Sequence, residues 1–339
     1  MAWYQEKGRE GDVVISSRIR LARNLAGYPF GNRLTEAGAK EIIARIDAAL
    51  SGKNFSCTKM EEIPAELAAS LVEQHYISRE FAAASGPRAL FQNESRSLSL
   101  MACEEDHIRL QCILPGLSLS DAYRLATEAD DLLDSALPLA FDERLGYLTH
   151  CPTNLGTGLR ASVMLFLPAL EAGGYMPSLS HQLAKRGFTV RGLYGEGTAP
   201  RAALYQISNQ ITLGTREEDI LSRLEETVLD IIKKERELRT APRGEAALAR
   251  EDRICRAEGT LRFATRISSA EFFSLYADIK LGIALGIINS ITEETLNTLL
   301  ISVLPATLSR HATEQFKTSA ERDAFRAKFI KQALEVKKA

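Results

Sequence analysis

The sequence has no closely spaced pair of cysteines, no long apolar run and almost no net charge. An odd number of cysteines without CxxC spacing argues against a disulfide framework or a zinc site and favours a reducing compartment: Cys57, Cys103, Cys112, Cys151 and Cys255. The polar residues 1–10 do not resemble a signal peptide, and no run could span a bilayer, so we expect a cytoplasmic protein. A net charge of −2 gives no general attraction to nucleic acid or to anionic membranes.

Two common nucleotide-binding loops are also missing. The chain contains no GxxxxGK followed by Ser or Thr, and no GxGxxG between a strand and a helix. A bound nucleotide would therefore depend on side chains, and the arginine fork matches phosphate oxygens well.

The order of predicted elements changes near residue 240. Helices and strands are mixed before this point, and every predicted element after it is helical. We therefore predict a mixed domain over 12–240 and an all-α domain over 245–339. A helix is predicted over 64–84, with His75 on it, and another is predicted to begin in the apolar run 163–167. A single helical histidine is more often structural than functional.

The stretch CPTNLGTGLRASV at 151–163 combines unusual groups. Cys151 precedes a proline and should be extended, a polar glycine-rich turn follows, and Arg160 enters the apolar run. An ordinary turn with a structural cysteine remains an alternative, because single cysteines are usually buried apolar groups.

A second arginine-rich stretch begins at a β-branched strand, 13–15. It leads into Ser16 and Ser17 and then to Arg18 and Arg20, which share a face in extended backbone. Hydroxyls and arginine forks directed at one place favour an anion site, although a solvated strand edge is the alternative.

An acidic cluster lies between two predicted strands, 97–102 and 107–114. Glu104, Glu105 and Asp106 repel one another unless a cation compensates, and Arg109 follows on the second strand. A solvated turn is the simpler explanation, and a site that orients a cation beside an anion is the other. Further along, a glycine-rich loop at 191–198 carries Arg191 and Glu196.

Four motifs together resemble the guanidino-kinase (phosphagen kinase) superfamily: SSRIR at 16–20, EEDHIR at 104–109, CPTNLGTGLRASV at 151–163 and RGLYGE at 191–196. They cover most of residues 12–215. The chain is most similar to the bacterial branch that phosphorylates arginine side chains in proteins, because it starts near the first motif and carries a helical C-terminal part. The resemblance implies an α+β fold, in which a catalytic domain with an antiparallel sheet flanked by helices precedes an all-α dimerisation or regulatory domain.

The resemblance also implies site residues. Glu105 and Glu196 would be the catalytic carboxylates, with Cys151 as the active-site thiol. The residues that would contact ATP are Ser16, Ser17, Arg18, Ile19, Arg20, His75, Arg109, Arg160, Ala161, Ser162, Val163, Met164, Arg191, Gly192, Leu193, Tyr194, Gly195 and Glu196. One departure is Cys103, where the family usually has Asn, which puts the local hydrogen bonding in doubt.

The C-terminal part contains a motif similar to the family's phosphoarginine-binding sequence: Arg322, Asp323, Ala324, Phe325, Arg326 and Ala327. Arg322 and Arg326 are four apart and share a helix face, which is otherwise typical of a solvated surface. The resemblance further implies ATP with Mg2+ held mainly through the phosphates, a homodimer, protein substrates, an activator protein and a Clp-type protease in a stress response. It implies no nucleic acid or membrane partner.

The chemistry fits phosphoryl transfer to a guanidinium. Such a group has a pKa of about 12.5–13.8, so a base must remove a proton before a nitrogen can attack phosphorus. Glu105 is the expected base, and the arginines would neutralise the triphosphate. Two alternatives remain, a kinase for a small guanidino metabolite and a catalytically weak module that binds phosphoarginine.

Overall fold

Ten strands are present in the computed structural model, which describes residues 2–192 and 202–335. Eight of them form one antiparallel sheet in the spatial order 2-3-4-5-1-8-10-9, and the other two form a short hairpin. The strands are β1 (Val14–Arg23), β2 (Phe55–Lys59), β3 (Ala89–Asn93), β4 (Leu98–Ala102), β5 (Ile108–Pro115), β6 (Phe141–Asp142), β7 (Gly146–Tyr147), β8 (Leu159–Phe166), β9 (Phe188–Arg191) and β10 (Leu204–Asn209).

Helices cover both faces of this sheet and make up the C-terminal part of the described chain. They are α1 (Glu36–Leu50), α2 (Ala65–Glu73), α3 (Arg79–Ala83), α4 (Leu119–Ala136), α5 (Pro168–Ala172), α6 (Met176–Lys185), α7 (Glu217–Thr240), α8 (Gly244–Phe263), α9 (Ser269–Ala284), α10 (Glu293–Ser302), α11 (Pro305–Ser309) and α12 (Ser319–Glu335). The predicted α+β class, with an antiparallel sheet flanked by helices and a helical C-terminal region, is confirmed. None of these helices combines the length and the apolar character needed to cross a membrane.

Two hydrophobic cores lie on opposite faces of the sheet. The first core packs α1, α4 and α7 against alternate side chains of the central strands, among them Ile19, Leu110 and Val163. The second core joins Phe166 and other residues of the opposite face to α2, α3, α8, α9, α10 and α12, and in it the Phe166 and Tyr276 rings meet edge to face at 6.5 Å. The C-terminal helices therefore share one core with the sheet.

The helix predicted to begin at 163–167 is wrong. Residues 159–166 form β8, whose two edges pair with β1 and β10, and whose alternate side chains enter the first and the second core, so both of its faces are buried. A strand buried on both faces has a continuous apolar sequence, and such a short run cannot be distinguished from a buried helix by its periodicity.

The single helix predicted over 64–84 is also wrong, because two helices, α2 and α3, occupy this stretch. His75 lies in the turn between them with φ of 63°. That left-handed conformation is incompatible with a continuing right-handed helix. His75 is therefore a turn residue rather than a helical one.

Candidate active site

One cavity of about 290 Å³, which we call the arginine cavity, is lined by six arginines: Arg18, Arg20, Arg79, Arg109, Arg160 and Arg191. Arg18 and Arg20 lie two residues apart on β1 and therefore point to the same face of the sheet. Arg109 on β5 and Arg160 on β8 come from the two strands that flank β1, and Arg160 is the direct partner of Arg20 in the strand register. Arg191, at the end of β9, also lines the cavity. Strand alternation thus collects cations that are distant in sequence.

A second cavity of about 270 Å³, the carboxylate cavity, adjoins the first. Acidic and small polar groups line it: Glu104, Glu105, Asp106, Cys151, Thr153 and Asn154. Arg20, Arg109 and Arg160 line both cavities. A polyanion in the arginine cavity and a cation in the carboxylate cavity would therefore meet beside these three guanidinium groups.

The arginine cavity is strongly electropositive. Burial, followed by the charges of Arg109 and Arg160, lowers the pKa of Arg18 to about 9. Burial is also the main cause that lowers the pKa of Arg20, and Arg18 adds to it. The buried Nε of Arg20 has no hydrogen-bond partner among the described residues. Because buried donors and like charges without compensation are costly, this cavity favours a bound anion.

Glu104 is the carboxylate that holds Arg109. Both of its oxygens lie 2.6 Å from Arg109 Nη1, and Ser78 Oγ donates a further hydrogen bond to it. Burial alone would raise the pKa of Glu104, but the charge and hydrogen bonds of Arg109 outweigh burial and lower it. For Arg109, burial alone would lower the pKa, but the charge and hydrogen bond of Glu104 outweigh burial and raise it. Glu104 is therefore committed to the arginine.

Glu105, the next residue, has a different environment. It lines the carboxylate cavity, and its pKa is raised by burial and then by the negative charges of Asp106 and Glu104. A carboxylate with a raised pKa accepts a proton more readily than an ordinary one at the same pH. Among the described residues that line this cavity, Glu105 therefore has the character of a general base.

Asp106 and Cys103 stabilise the turn that carries these glutamates. Asp106 accepts hydrogen bonds from Asn24 Nδ2 at 2.7 Å and from the His150 backbone N–H at 2.6 Å. Cys103 has φ of 62°, a left-handed conformation that Asn adopts more readily than most residues. Its thiol packs against α1, with Sγ 3.8 Å from the Ala39 oxygen, and burial raises its pKa to about 12. Cys103 thus serves as a packed thiol in the turn.

Cys151 reaches the carboxylate cavity from the opposite wall. Its backbone is extended, as expected before a proline, and a short 3-10 helix, Pro152–Asn154, follows. The Cys151 thiol lies 3.0 Å from Thr153 Oγ1. Thr212 fastens this loop, since its Oγ1 lies 3.1 Å from the Thr153 carbonyl oxygen and 2.7 Å from that of Leu155. The loop therefore presents the thiol on a fixed support.

His75 lines the arginine cavity from the turn between α2 and α3. Burial, and then the charges of Arg18 and Arg79, lower its pKa to about 3, so the imidazole is neutral at physiological pH. A neutral ring beside a group of arginines can contact an apolar or aromatic surface without adding charge.

The structure separates the predicted ATP-contacting residues by face. Ser16, Ser162 and Met164 lie on the cavity face, around a small recess behind His75. The side chains of four others point away: Ser17, Ile19, Ala161 and Val163. Three of them belong to the first core, and Ser17 Oγ donates to the Gly116 carbonyl oxygen. The strand period of two explains this split. Gly192 is buried beside Arg191, and the predicted Leu193, Tyr194, Gly195 and Glu196 lie outside the described residues.

Several cavity residues were not predicted from the sequence. Gln206 and Ser208 of β10 line the arginine cavity, as does Gln111 of β5, whose Nε2 donates to the carbonyl oxygens of His75 and Tyr76 at 2.7 and 3.0 Å. The alternation of polar and apolar residues along β5 and β10 was the available signal.

The C-terminal motif lies on α12. Arg326 is fully buried and donates to the carbonyl oxygens of Val303 and Ile267 at 2.9 and 2.8 Å, and it also pairs with Asp323. Phe325 packs against Phe316, the two ring centroids being 5.2 Å apart. Ala327 is buried in the second core, whereas Arg322 and Ala324 are partly exposed. Half of the motif therefore holds the helical part together.

Comparisons with known proteins agree with this geometry. Residues 39–238 match the family model "ATP:guanido phosphotransferase, C-terminal catalytic domain", and residues 247–339 match "Protein-arginine kinase McsB C-terminal domain". The chain is 28% identical to the duplicated taurocyamine kinase of Schistosoma mansoni, solved with bound transition-state analogue components, with a TM-score of 0.62. That match covers 74% of this chain and only 37% of the duplicated one. Lombricine kinase, at 24% identity and a TM-score of 0.60 with 70% of each chain covered, shares the fold.

Curated relatives match over nearly the full length. A protein-arginine kinase of Moorella thermoacetica is 40% identical over 339 residues, with 98% of this chain and 97% of the relative covered. A protein-arginine kinase of Symbiobacterium thermophilum is 42% identical over 339 residues, with 98% and 96% covered. The chain belongs to the ATP:guanido phosphotransferase family, in its protein-arginine kinase branch.

Proposed function

We propose that this enzyme transfers the γ-phosphoryl group of ATP to arginine side chains of proteins. The observation that carries the proposal is the pair of adjoining cavities, one cationic and one acidic, with Arg20, Arg109 and Arg160 between them. The arginine cavity would hold the triphosphate, and the carboxylate cavity would hold the acceptor guanidinium. Electrostatic positioning of this kind dominates the catalysis of phosphoryl transfer.

In this mechanism Glu105 removes the proton from the attacking guanidinium nitrogen. The substrate cation would offset the like charges of Glu104 and Asp106 that raise the Glu105 pKa before substrate binds. Cys151, on the opposite wall, would provide a further anchor for the guanidinium as a thiolate, and Glu196 is proposed as the second carboxylate. Arg20, Arg109 and Arg160 would stabilise the charge that develops on the transferred group.

Among the described residues, no group of three or more His, Cys, Asp or Glu side chains is arranged to hold a metal ion. We propose that Mg2+ arrives on the nucleotide phosphates, and Glu105 offers it a carboxylate of the carboxylate cavity that is not paired with an arginine. When bound, Mg2+ would neutralise phosphate charge.

The test is transfer from labelled ATP to an unfolded protein and, in a parallel reaction, to free arginine. We expect acid-labile label on the protein, because an N–P bond is lost in acid whereas a serine phosphate survives. Label only on free arginine would support a kinase for a small guanidino compound. An inactive wild-type enzyme that still binds phosphoarginine would instead support a binding module.

We further propose that the C-terminal motif binds phosphoarginine. Two buried guanidinium nitrogens, the Nε of Arg322 and the Nη2 of Arg326, have no hydrogen-bond partner among the described residues. Two such donors suit the oxygens of a phosphate group. Arg326 also supports the fold, so Arg322 is the informative position. Arg322→Gln should weaken phosphoarginine binding measured by calorimetry without lowering thermal stability. Unchanged binding would reject the assignment.

The remaining parts of the proposal concern organisation and biology. We propose a catalytic domain over 12–240, a helical regulatory domain over 245–339 that forms a homodimer, and a cytoplasmic enzyme that marks proteins for a Clp-type protease under stress with an activator protein. These parts of the proposal rest on the resemblance to the protein-arginine kinase branch. Sedimentation analysis tests the dimer, and a monomer at micromolar concentration would reject it.

A further inference from the structure

The only tryptophan of the chain, Trp3, lies directly behind the arginine cavity. Its side chain is buried, and its Nε1–H donates to the carbonyl oxygen of Gln74 at 3.1 Å. The indole also meets the imidazole of His75 edge to face, with centroids 5.8 Å apart, and borders the recess behind that ring. The Tyr4 ring also meets the indole edge to face, with centroids 5.4 Å apart.

This contact supports a residue that is conformationally unfavourable. His75 has φ of 63°, and a left-handed residue other than Gly costs roughly 1–2 kcal/mol. The peptide group before His75 is held by Trp3 at the Gln74 oxygen, and the peptide group after it is held by Gln111 at the His75 oxygen, 2.7 Å away. Both peptide groups that determine the direction of the imidazole are therefore clamped by side chains.

The segment that carries Trp3 is itself anchored to the C-terminal helices. Lys7 pairs with Glu293 of α10 at 2.9 Å, and the buried Lys280 of α9 donates to the Gly11 carbonyl oxygen at 3.0 Å. Trp3 is thus presented to His75 from a fixed segment rather than from a free end. A rigid support of this kind lowers the entropy lost when a ligand binds to the supported residue.

We propose that Trp3 is a positioning residue for ATP, which acts by fixing His75 against the nucleotide. The proposal rests on the assignment of the arginine cavity to ATP in the proposed function. Trp3 does not border the carboxylate cavity, so its effect falls on nucleotide affinity and not on acceptor binding. His75, neutral and directed into the arginine cavity, supplies the surface against which the nucleotide packs.

The first test compares Trp3→Ala and Trp3→Phe with Tyr4→Phe as the matched control. Trp3→Ala removes the ring and the hydrogen bond and should raise the KM for ATP about tenfold, with kcat and the KM for the protein acceptor within about twofold of wild type. Trp3→Phe keeps a ring beside His75 and should recover most of that loss. Tyr4→Phe removes only a 3.5 Å contact with Gln74 and should behave as wild type.

Opposite results would overturn the assignment. If folded Trp3→Phe and Trp3→Ala both leave the KM for ATP unchanged, Trp3 does not position the nucleotide. If kcat, both KM values and thermal stability worsen in parallel in Trp3→Phe, its role is structural.

A second test uses the wild-type enzyme and needs no turnover. Binding of a non-hydrolysable ATP analogue should change the fluorescence emission of the single tryptophan. The dissociation constant obtained from the emission should equal the one measured by calorimetry. Binding without an emission change would contradict the contact through His75. If the analogue binds with the emission change, but the same enzyme given ATP does not phosphorylate a protein acceptor, the proposed acceptor is rejected and the Trp3 assignment stands. Absence of analogue binding would reject both.

Discussion

Three adjacent carboxylates, Glu104, Glu105 and Asp106, should respond differently to the same isosteric change. Glu104→Gln removes the charge that holds Arg109, Glu105→Gln removes the proposed base, and Asp106→Asn alters a buried turn support. Each substitution keeps the size of the side chain, so the comparison isolates charge and proton transfer. The neighbours in the sequence therefore serve as controls for one another.

The expected magnitudes follow from the contacts. Loss of a general base costs roughly 10²- to 10⁴-fold in rate, so Glu105→Gln should lose about 3–5 kcal/mol of transition-state stabilisation with ATP affinity preserved. Glu104 is buried while Arg109 is about a quarter exposed, and a hydrogen bond to a charged group contributes about 1.5–3 kcal/mol. Glu104→Gln should therefore weaken ATP binding roughly tenfold or more. Asp106→Asn should mainly lower stability.

The assay measures kcat, the KM for ATP and the KM for a protein acceptor, with ATP affinity determined separately by calorimetry. Glu105→Gln should lower kcat alone, and Glu104→Gln should raise the dissociation constant for ATP. The reasoning would be refuted if Glu105→Gln kept a rate within about tenfold of wild type. It would also fail if Glu105→Gln weakened ATP binding as much as Glu104→Gln does.

Three further outcomes are expected. The value of kcat/KM, which reports the free enzyme, should rise with pH as Glu105 loses its proton, with a midpoint above the ordinary Glu pKa. Asp106→Asn should move that midpoint to lower pH because it removes a neighbouring negative charge, and an unmoved profile would exclude Glu105 as the titrating base. Cys151→Ser should strongly reduce phosphoryl transfer but not thermal stability, whereas a parallel loss of both would make the cysteine structural. Arg23→Met leaves the buried Asp130 unpaired and should cost about 3–5 kcal/mol in urea unfolding, while Arg45→Met on an exposed helix should leave the midpoint unchanged.

The arginine arrangement could be predicted from sequence because it depends on a local rule. Arg18 and Arg20 share a face wherever the backbone is extended, and the structure places both in one cavity. The same rule predicts that Ile19 faces the core, so whole motifs carried over from a family contain residues that point away from the site. A motif identifies a stretch of chain, but the alternation of side chains along the strand determines which of its residues reach the cavity.

Features that depend on distant contacts could not be predicted in this way. The left-handed turn at His75 is supported by Trp3 and Gln111, which are distant from it in the sequence. The strand nature of β8 depends on pairing with β1 and β10, because its apolar run satisfies either periodicity. The pairing of Glu104 with Arg109 required the geometry of the turn, since the sequence offers three carboxylates for one arginine.

The second core has a consequence for how this protein can be divided. It contains Met164, Phe166 and Leu204 of the sheet together with apolar residues of α8, α9, α10 and α12. A chain truncated after Thr240 would expose those sheet residues to water, and an apolar patch of that kind promotes aggregation. The short connection between α7 and α8 therefore separates the two segments that different family models match, but it does not separate two units of folding. The catalytic sheet depends on the C-terminal helices for its solubility.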